Sequence, residues 1–202
     1  MFIGKWNKSV ILTYIGLFFS IFGIFMCFKH NINLAMSALI MAGICDLFDG
    51  TVARKCKRTE EEKNFGIQLD SLVDVVSFIV FPISIFISIG FNTWFHLLIM
   101  FIFAICGIAR LAYFNISIED NSNPVKYYTG LPVTFSAMIF PIFYLLIFII
   151  PNIFYIIYTI IILLVAILNI LSIKIKKPRG IAYIIFSLLA IFMLIIYLGV
   201  LR

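Results

Sequence analysis

Charge is what this chain has least of. Charged side chains make up 12% of the sequence against 64% hydrophobic residues, and mean hydropathy is +1.18. A core built from 202 residues cannot hide that much apolar surface, so a soluble globular domain is excluded. Histidine occurs only at His30 and His96, at the ends of predicted helices and far along the chain from any acidic cluster, which suits interfacial polar residues better than ligands. Cys27, Cys45, Cys56 and Cys106 contain no C-x-x-C pair, and three of them fall within apolar runs, where a free cysteine ordinarily serves as buried filler. The chain also lacks an H-x-K motif, an internal repeat, and the paired broken helices that mark a transporter's midplane site. No small-x-small pattern follows the first apolar run, where Met26-Cys27-Phe28-Lys29-His30 stands instead, so that run is read as a helix and not as a removable signal.

Long apolar runs are abundant. They lie at about residues 9 to 28, 32 to 53, 67 to 90, 94 to 115, 131 to 150, 152 to 173 and 180 to 200, each near the roughly 20 residues a helix needs to cross the hydrocarbon core. Continuous apolarity at this length argues against a barrel, whose strands must alternate toward a polar lumen. The expected fold is an all-α, polytopic integral membrane helix bundle forming one domain over 1–202. Seven crossings are expected, with six or eight as the neighbouring readings.

The scarce charges are unevenly spread. With the amino terminus inside, the inner segments collect Lys5, Lys8, Arg54, Lys55, Lys57, Arg58, Lys63, Arg110, Lys126, Lys174, Lys176, Lys177 and Arg179. The outer side holds only Lys29 and Arg202. That asymmetry obeys the positive-inside rule and predicts a multi-pass protein of the cytoplasmic membrane. The basic runs read as orientation signals and contacts to anionic headgroups, with no nucleic-acid role for the +6 net charge.

Against this background four acids stand out: Asp46 and Asp49, then Asp70 and Asp74, all inside apolar runs. An aspartate near the centre of a membrane helix costs about 2.5–3.5 kcal/mol to insert, so four in consecutive segments demand a partner. Asp46, Gly50 and Arg54 are spaced i, i+4, i+8, Asp49 and Ala53 i, i+4, and Gly66, Asp70 and Asp74 again i, i+4, i+8. Gly66 to Asp74 are expected in the first two turns of the third helix, after a polar loop. Two antiparallel helices then bring four carboxylates together beside small residues. Asp46 lies about 12 Å along the helix from Arg54, so the site opens at the inner surface.

Clustered carboxylates repel one another unless cations lie between them. Hard oxygen donors select Mg²⁺, Mn²⁺ or Ca²⁺, and four aspartates suffice for two ions about 3.5–4 Å apart, the spacing that clamps a phosphoryl group. Small residues at Gly50, Ala53 and Gly66 admit a bulky ligand or, alternatively, let helices pack closely. A divalent-metal transport pathway is the other reading of the acids, and the fixed glycine and arginine offsets favour phosphate binding over it.

The pattern D-x2-D-G-x2-A-R-x(8 to 11)-G-x3-D-x3-D resembles the signature of the CDP-alcohol phosphotransferase family, with Asp46, Asp49, Gly50, Ala53, Arg54, Gly66, Asp70 and Asp74 at every specified position. The continuation from Leu69 to Phe78 looks like the phosphatidylserine synthase branch. Gly107 to Asn115 and Gly130-Leu131-Pro132 resemble two further segments of it, while Ile79-Val80-Phe81-Pro82 keeps only the proline of that branch's G-x-A-P.

The resemblance implies transfer of a phosphatidyl group from CDP-diacylglycerol to L-serine, by direct displacement and in a homodimer. It implies two divalent cations, Mg²⁺ or Mn²⁺, on Asp46, Asp49 and Asp70, with Asp74 as general base and further ligand. Arg54 would grip the donor phosphate while Gly50, Ala53 and Gly66 admit the nucleotide. Thr13 lines the same cavity or simply packs its helix. Arg110 is the candidate partner of the serine carboxylate, with Asn115 and Lys126 behind it; the alternative for Arg110 is a snorkelling contact to headgroups. Sister enzymes that use glycerol 3-phosphate or inositol phosphate share the aspartate motif, so the acceptor rests on the weaker segments.

Overall fold

The computed structural model describes residues 4–5, 7–119, 127–176 and 180–200. Its helices are α1 (Ile11–Phe28), α2 (Ile32–Lys55), α3 (Glu60–Val75), α4 (Phe81–Ser88), α5 (Trp94–Glu119), α6 (Ser136–Tyr144), α7 (Leu146–Ile149), α8 (Phe154–Ile170) and α9 (Ile181–Ile195). Six helical stretches among the described residues are long and apolar enough to cross a membrane: Lys8–Phe28, Ile32–Lys55, Glu60–Ser88, Trp94–Ile116, Pro151–Ile170 and Ile181–Val200. The protein is an all-α polytopic membrane bundle.

The seventh expected crossing is shorter than the sequence suggests. The apolar run at 131–150 becomes a short helical stretch, Val133–Ile149, divided between α6 and α7. Pro141 lies inside α6 and has no N–H to give. Leu145 N–H bonds to the Ile142 carbonyl at 3.3 Å, and the Pro141 carbonyl instead accepts from the buried Tyr197 hydroxyl at 2.5 Å. Tyr158 likewise donates to the Phe140 carbonyl at 3.1 Å. Membrane helices tolerate proline when neighbouring side chains satisfy the released groups in this way. The stretch still runs the length of α8 in the opposite direction: Leu131 N–H reaches the Leu168 carbonyl at 2.8 Å at one end, and the rings of Tyr144 and Phe154 lie 5.9 Å apart at the other.

The polar loop before the third crossing is shorter than expected. α3 starts at Glu60, where Thr59 Oγ1 accepts from Glu62 N–H and the Glu62 carboxylate accepts from Thr59 N–H, a reciprocal cap. Gly66 therefore lies well inside the helix, and Asp70 and Asp74 fall nearly two turns further along it than expected. Lys5 meets Glu61 of the same first turn at 2.6 Å on the surface, and that carboxylate holds the lysine ammonium above its ordinary range.

α3 and α4 form one continuous span joined by a wide turn at Val76–Val80, where Phe81 N–H reaches back to the Val76 carbonyl. Pro82, next in line, cannot donate to the ordinary ladder, and the five-residue turn absorbs that defect. Small residues set the packing of the first three crossings. Gly23 lies beneath the Phe81 ring, which a Cβ would overlap, and Ala35, Ala38 and Ala42 bury the face of α2. Ser20, fully buried in α1, bonds to Ser77 Oγ at 2.7 Å. Ser88 donates to the Cys27 carbonyl at 2.9 Å and ties α4 to α1.

A two-stranded antiparallel ladder, β1 (Tyr127–Thr129) with β2 (Lys174–Lys176), ties the segment before α6 to the one after α8. The turn that follows needs glycine. Gly130 has φ +75°, and a Cβ there would lie 2.5 Å from the Asn169 carbonyl oxygen. This clasp fixes where Pro132 and Thr134 enter the bundle.

Candidate active site

α2 and α3 run antiparallel, so a residue deeper on one faces a residue deeper on the other. Asp46 comes within hydrogen-bonding reach of Asp74, and Asp49 of Asp70. Oxygens of Asp46, Asp49 and Asp70 all lie within 4.8 Å of one another, close enough to hold a metal ion. Asp74 is the most enclosed of the four, 8% exposed. All four carboxylates line a cavity of about 410 Å³.

The opposite wall comes from elements distant in sequence. Arg110 and Phe114 enter from α5, Pro132, Thr134 and Ala137 from the segment beginning at the clasp, and Tyr183, Phe186 and Ala190 from α9. Arg110 is only 7% exposed, with its guanidinium carbon 5.1 Å from the centroid of the Phe114 ring. Its positive charge acts on Asp46 across the cavity. Arg54 is solvent-exposed near the end of α2, still lines the cavity, and donates to Thr51 Oγ1 at 3.0 Å. A site with carboxylates on one wall, two arginines at different depths and apolar sides can receive a charged headgroup attached to a lipid tail.

Not every expected residue reaches this cavity. Gly50 lines it, whereas Ala53 and Gly66 do not; a Cβ on Gly66 would face Arg58 Nη1 at 3.8 Å. Thr13, 8% exposed on α1, lies behind the aspartates on a separate void of about 10 Å³ shared with Gly16, Cys45 and Ser77, the size of one water. Asn115 is not in the lining either, since its Oδ1 accepts from Ser71 Oγ at 2.8 Å and ties α5 to α3. Lys126 lies outside the described residues.

Thr51, Phe114, Thr134, Tyr183 and Phe186 were not foreseen. For Thr134, a polar residue opening an apolar run after Gly130-Leu131-Pro132 was an available signal. For Tyr183 and Phe186, nothing in an apolar helix distinguishes a cavity-facing aromatic from a lipid-facing one.

The model of the CDP-alcohol phosphatidyltransferases matches residues 6–171, which include every helix that carries a carboxylate or an arginine of the cavity. Over 100 residues the chain is 42% identical to a CDP-diacylglycerol--serine O-phosphatidyltransferase of Saccharomyces cerevisiae, covering 46% of this chain and 35% of that protein. It is 33% identical over 123 residues to an archaetidylserine synthase of Methanothermobacter thermautotrophicus, covering 60% and 51%. It is also 33% identical over 111 residues to a CDP-diacylglycerol--serine O-phosphatidyltransferase of Bacillus subtilis, covering 54% and 59%. The aligned stretches thus span between about a third and three-fifths of these relatives' lengths.

Proposed function

The chain belongs to the CDP-alcohol phosphatidyltransferase family, and from that premise we propose that it transfers a phosphatidyl group from CDP-diacylglycerol to the hydroxyl of L-serine, releasing CMP. The observation that carries this reading is the cavity itself: carboxylate oxygens gathered within 4.8 Å face a buried arginine across a space with apolar side walls. The names of the relatives, two serine phosphatidyltransferases and an archaetidylserine synthase, favour serine as the acceptor.

Asp46, Asp49 and Asp70, with Asp74 beside Asp46, form an all-oxygen donor set suited to two divalent cations, Mg²⁺ or Mn²⁺. Those carboxylates would hold such ions where their positive charge would offset that of the donor pyrophosphate and of the transferring phosphoryl group. Asp74 accepts the serine hydroxyl proton. The serine oxygen forms its bond to the phosphatidyl phosphorus as the bond from that phosphorus to the CMP oxygen breaks, and CMP leaves with the electron pair. Burial of Asp74 keeps bulk water from competing for the same phosphorus. Arg54, at the exposed end, grips the donor phosphate, and the missing side chain at Gly50 leaves room for the nucleotide. Arg110 receives the serine carboxylate through two parallel N–H bonds, a task for which the planar guanidinium is suited.

The inner-surface position of Arg54 and the basic loops support an orientation in which the cavity opens to the cytoplasm. There serine from water meets the donor from the bilayer. Asp70→Asn and Asp74→Asn keep side-chain size and remove charge. Each is expected to abolish CMP release from CDP-diacylglycerol plus serine while the protein remains membrane-inserted, and full activity in either variant overturns the reading.

A further inference from the structure

Resting on the serine reading above, we propose that Phe114 is the positioning residue that fixes the plane of Arg110, and thereby gives the site its preference for an alcohol that carries a carboxylate. The two residues are one turn apart on α5, and the guanidinium carbon lies 5.1 Å from the ring centroid. Both line the cavity.

An arginine near the end of a membrane helix would ordinarily extend its head toward the headgroups. Here the side chain is 7% exposed, so it stays inside the protein. Asp46 and Phe114 both act on it there. Asp46 attracts the positive charge from across the cavity, and the Phe114 ring lies beneath the guanidinium carbon in a cation–π contact. If the carboxylates acted alone, the arginine would collapse onto them, occupying oxygens the reading assigns to cations and turning its fork away from an incoming acceptor. The ring opposes that collapse. A guanidinium lying on an aromatic face directs its N–H donors along its rim, the geometry in which it takes a carboxylate bidentately.

Phe114 touches neither the reacting phosphorus nor the acceptor hydroxyl in this account, so its loss should alter acceptor binding and not the chemical step. A cation–π contact to a half-buried ring, between the exposed and fully desolvated limits, corresponds to roughly tenfold in an equilibrium. The test is steady-state kinetics of purified full-length wild type, Phe114→Leu and Phe114→Trp with CDP-diacylglycerol and Mn²⁺, using L-serine and L-serinamide as acceptors, alongside thermal midpoints in detergent.

Phe114→Leu is expected to raise the serine KM about tenfold, leave kcat and the CDP-diacylglycerol KM within about twofold, and shrink the preference for serine over serinamide by the same tenfold. Phe114→Trp restores the wild-type values. Equal effects on both acceptors, a Trp variant no better than Leu, or a parallel loss of donor binding and thermal midpoint overturns the inference and makes the ring a packing residue. If the wild type uses serine and Phe114→Leu matches it, the inference alone fails. If the wild type releases no CMP with serine, the serine reading fails and takes the inference with it.

Discussion

Arg110 and Arg54 both line the cavity, yet they differ in exposure, and that difference separates their expected behaviour. Arg110→Ala removes a cation from a nearly closed wall and leaves any incoming carboxylate without its partner, a loss of about 2–4 kcal/mol in acceptor binding. The serine KM should therefore rise by at least tenfold while the donor KM changes little; equal changes in the two constants would show that the arginine supports the fold. At this scale the sequence was most informative about the aspartates, because four acids in apolar helices are costly wherever they point. It was least informative about Asn115, Ala53 and Gly66. Asn115 sits in a segment that resembles the serine branch, but its hydrogen bond to Ser71 joins two helices. Ala53 and Gly66 are small at the right spacing and still miss the cavity, and among the described residues a Cβ at Gly66 would meet only Arg58 Nη1 at 3.8 Å, so close helix packing does not account for that glycine either.

Between residues and fold stand the helix joints, and these carry the cavity's shape. The Thr59–Glu62 cap could be recognised in the sequence as a T-x-x-E pattern, yet the apolar periodicity that set the expected boundary starts only near residue 67. Charged residues in the first turns of a helix that projects from the membrane hide its true start. Pro141 was visible too, but a continuous apolar run masks a break when tyrosines from other helices take up the released carbonyls. A close approach between α2 and α6 shows what such joints control. A Cβ at Gly43, in the cavity lining, would lie 2.6 Å from Ala137 Cβ. Gly43→Val must therefore push the two helices apart, at a cost of about 1–3 kcal/mol. A lower thermal midpoint in detergent is expected, together with a fall in kcat/KM for the donor. An unchanged midpoint would mean that the helices are less closely fitted than the geometry indicates.

For the molecule as a whole, the all-α membrane class and the meeting of the α2 and α3 aspartates were legible from composition and spacing, because both depend on short-range regularities. The rest of the cavity depends on which distant segments meet. α9 lies beyond the residues matched by the family model, yet Tyr183, Phe186 and Ala190 close one side of the cavity, and the Phe186 ring packs edge-on against Phe135 at 5.6 Å. Tertiary contact of this kind leaves no periodic trace in a helix that is apolar all round. The bundle thus joins the carboxylate face of α2 and α3 to walls assembled from α5, the clasp and α9, and the proposed function assigns the choice of acceptor to those walls. The central claim concerns that choice. Purified protein should be given CDP-diacylglycerol and Mn²⁺ with L-serine, glycerol 3-phosphate or inositol phosphate in parallel, and CMP release followed with and without a chelator. Release with serine alone, with phosphatidylserine as the lipid product and loss of activity on chelation, is the expected result; release with another alcohol in preference to serine, or release that persists without divalent cations, would contradict it.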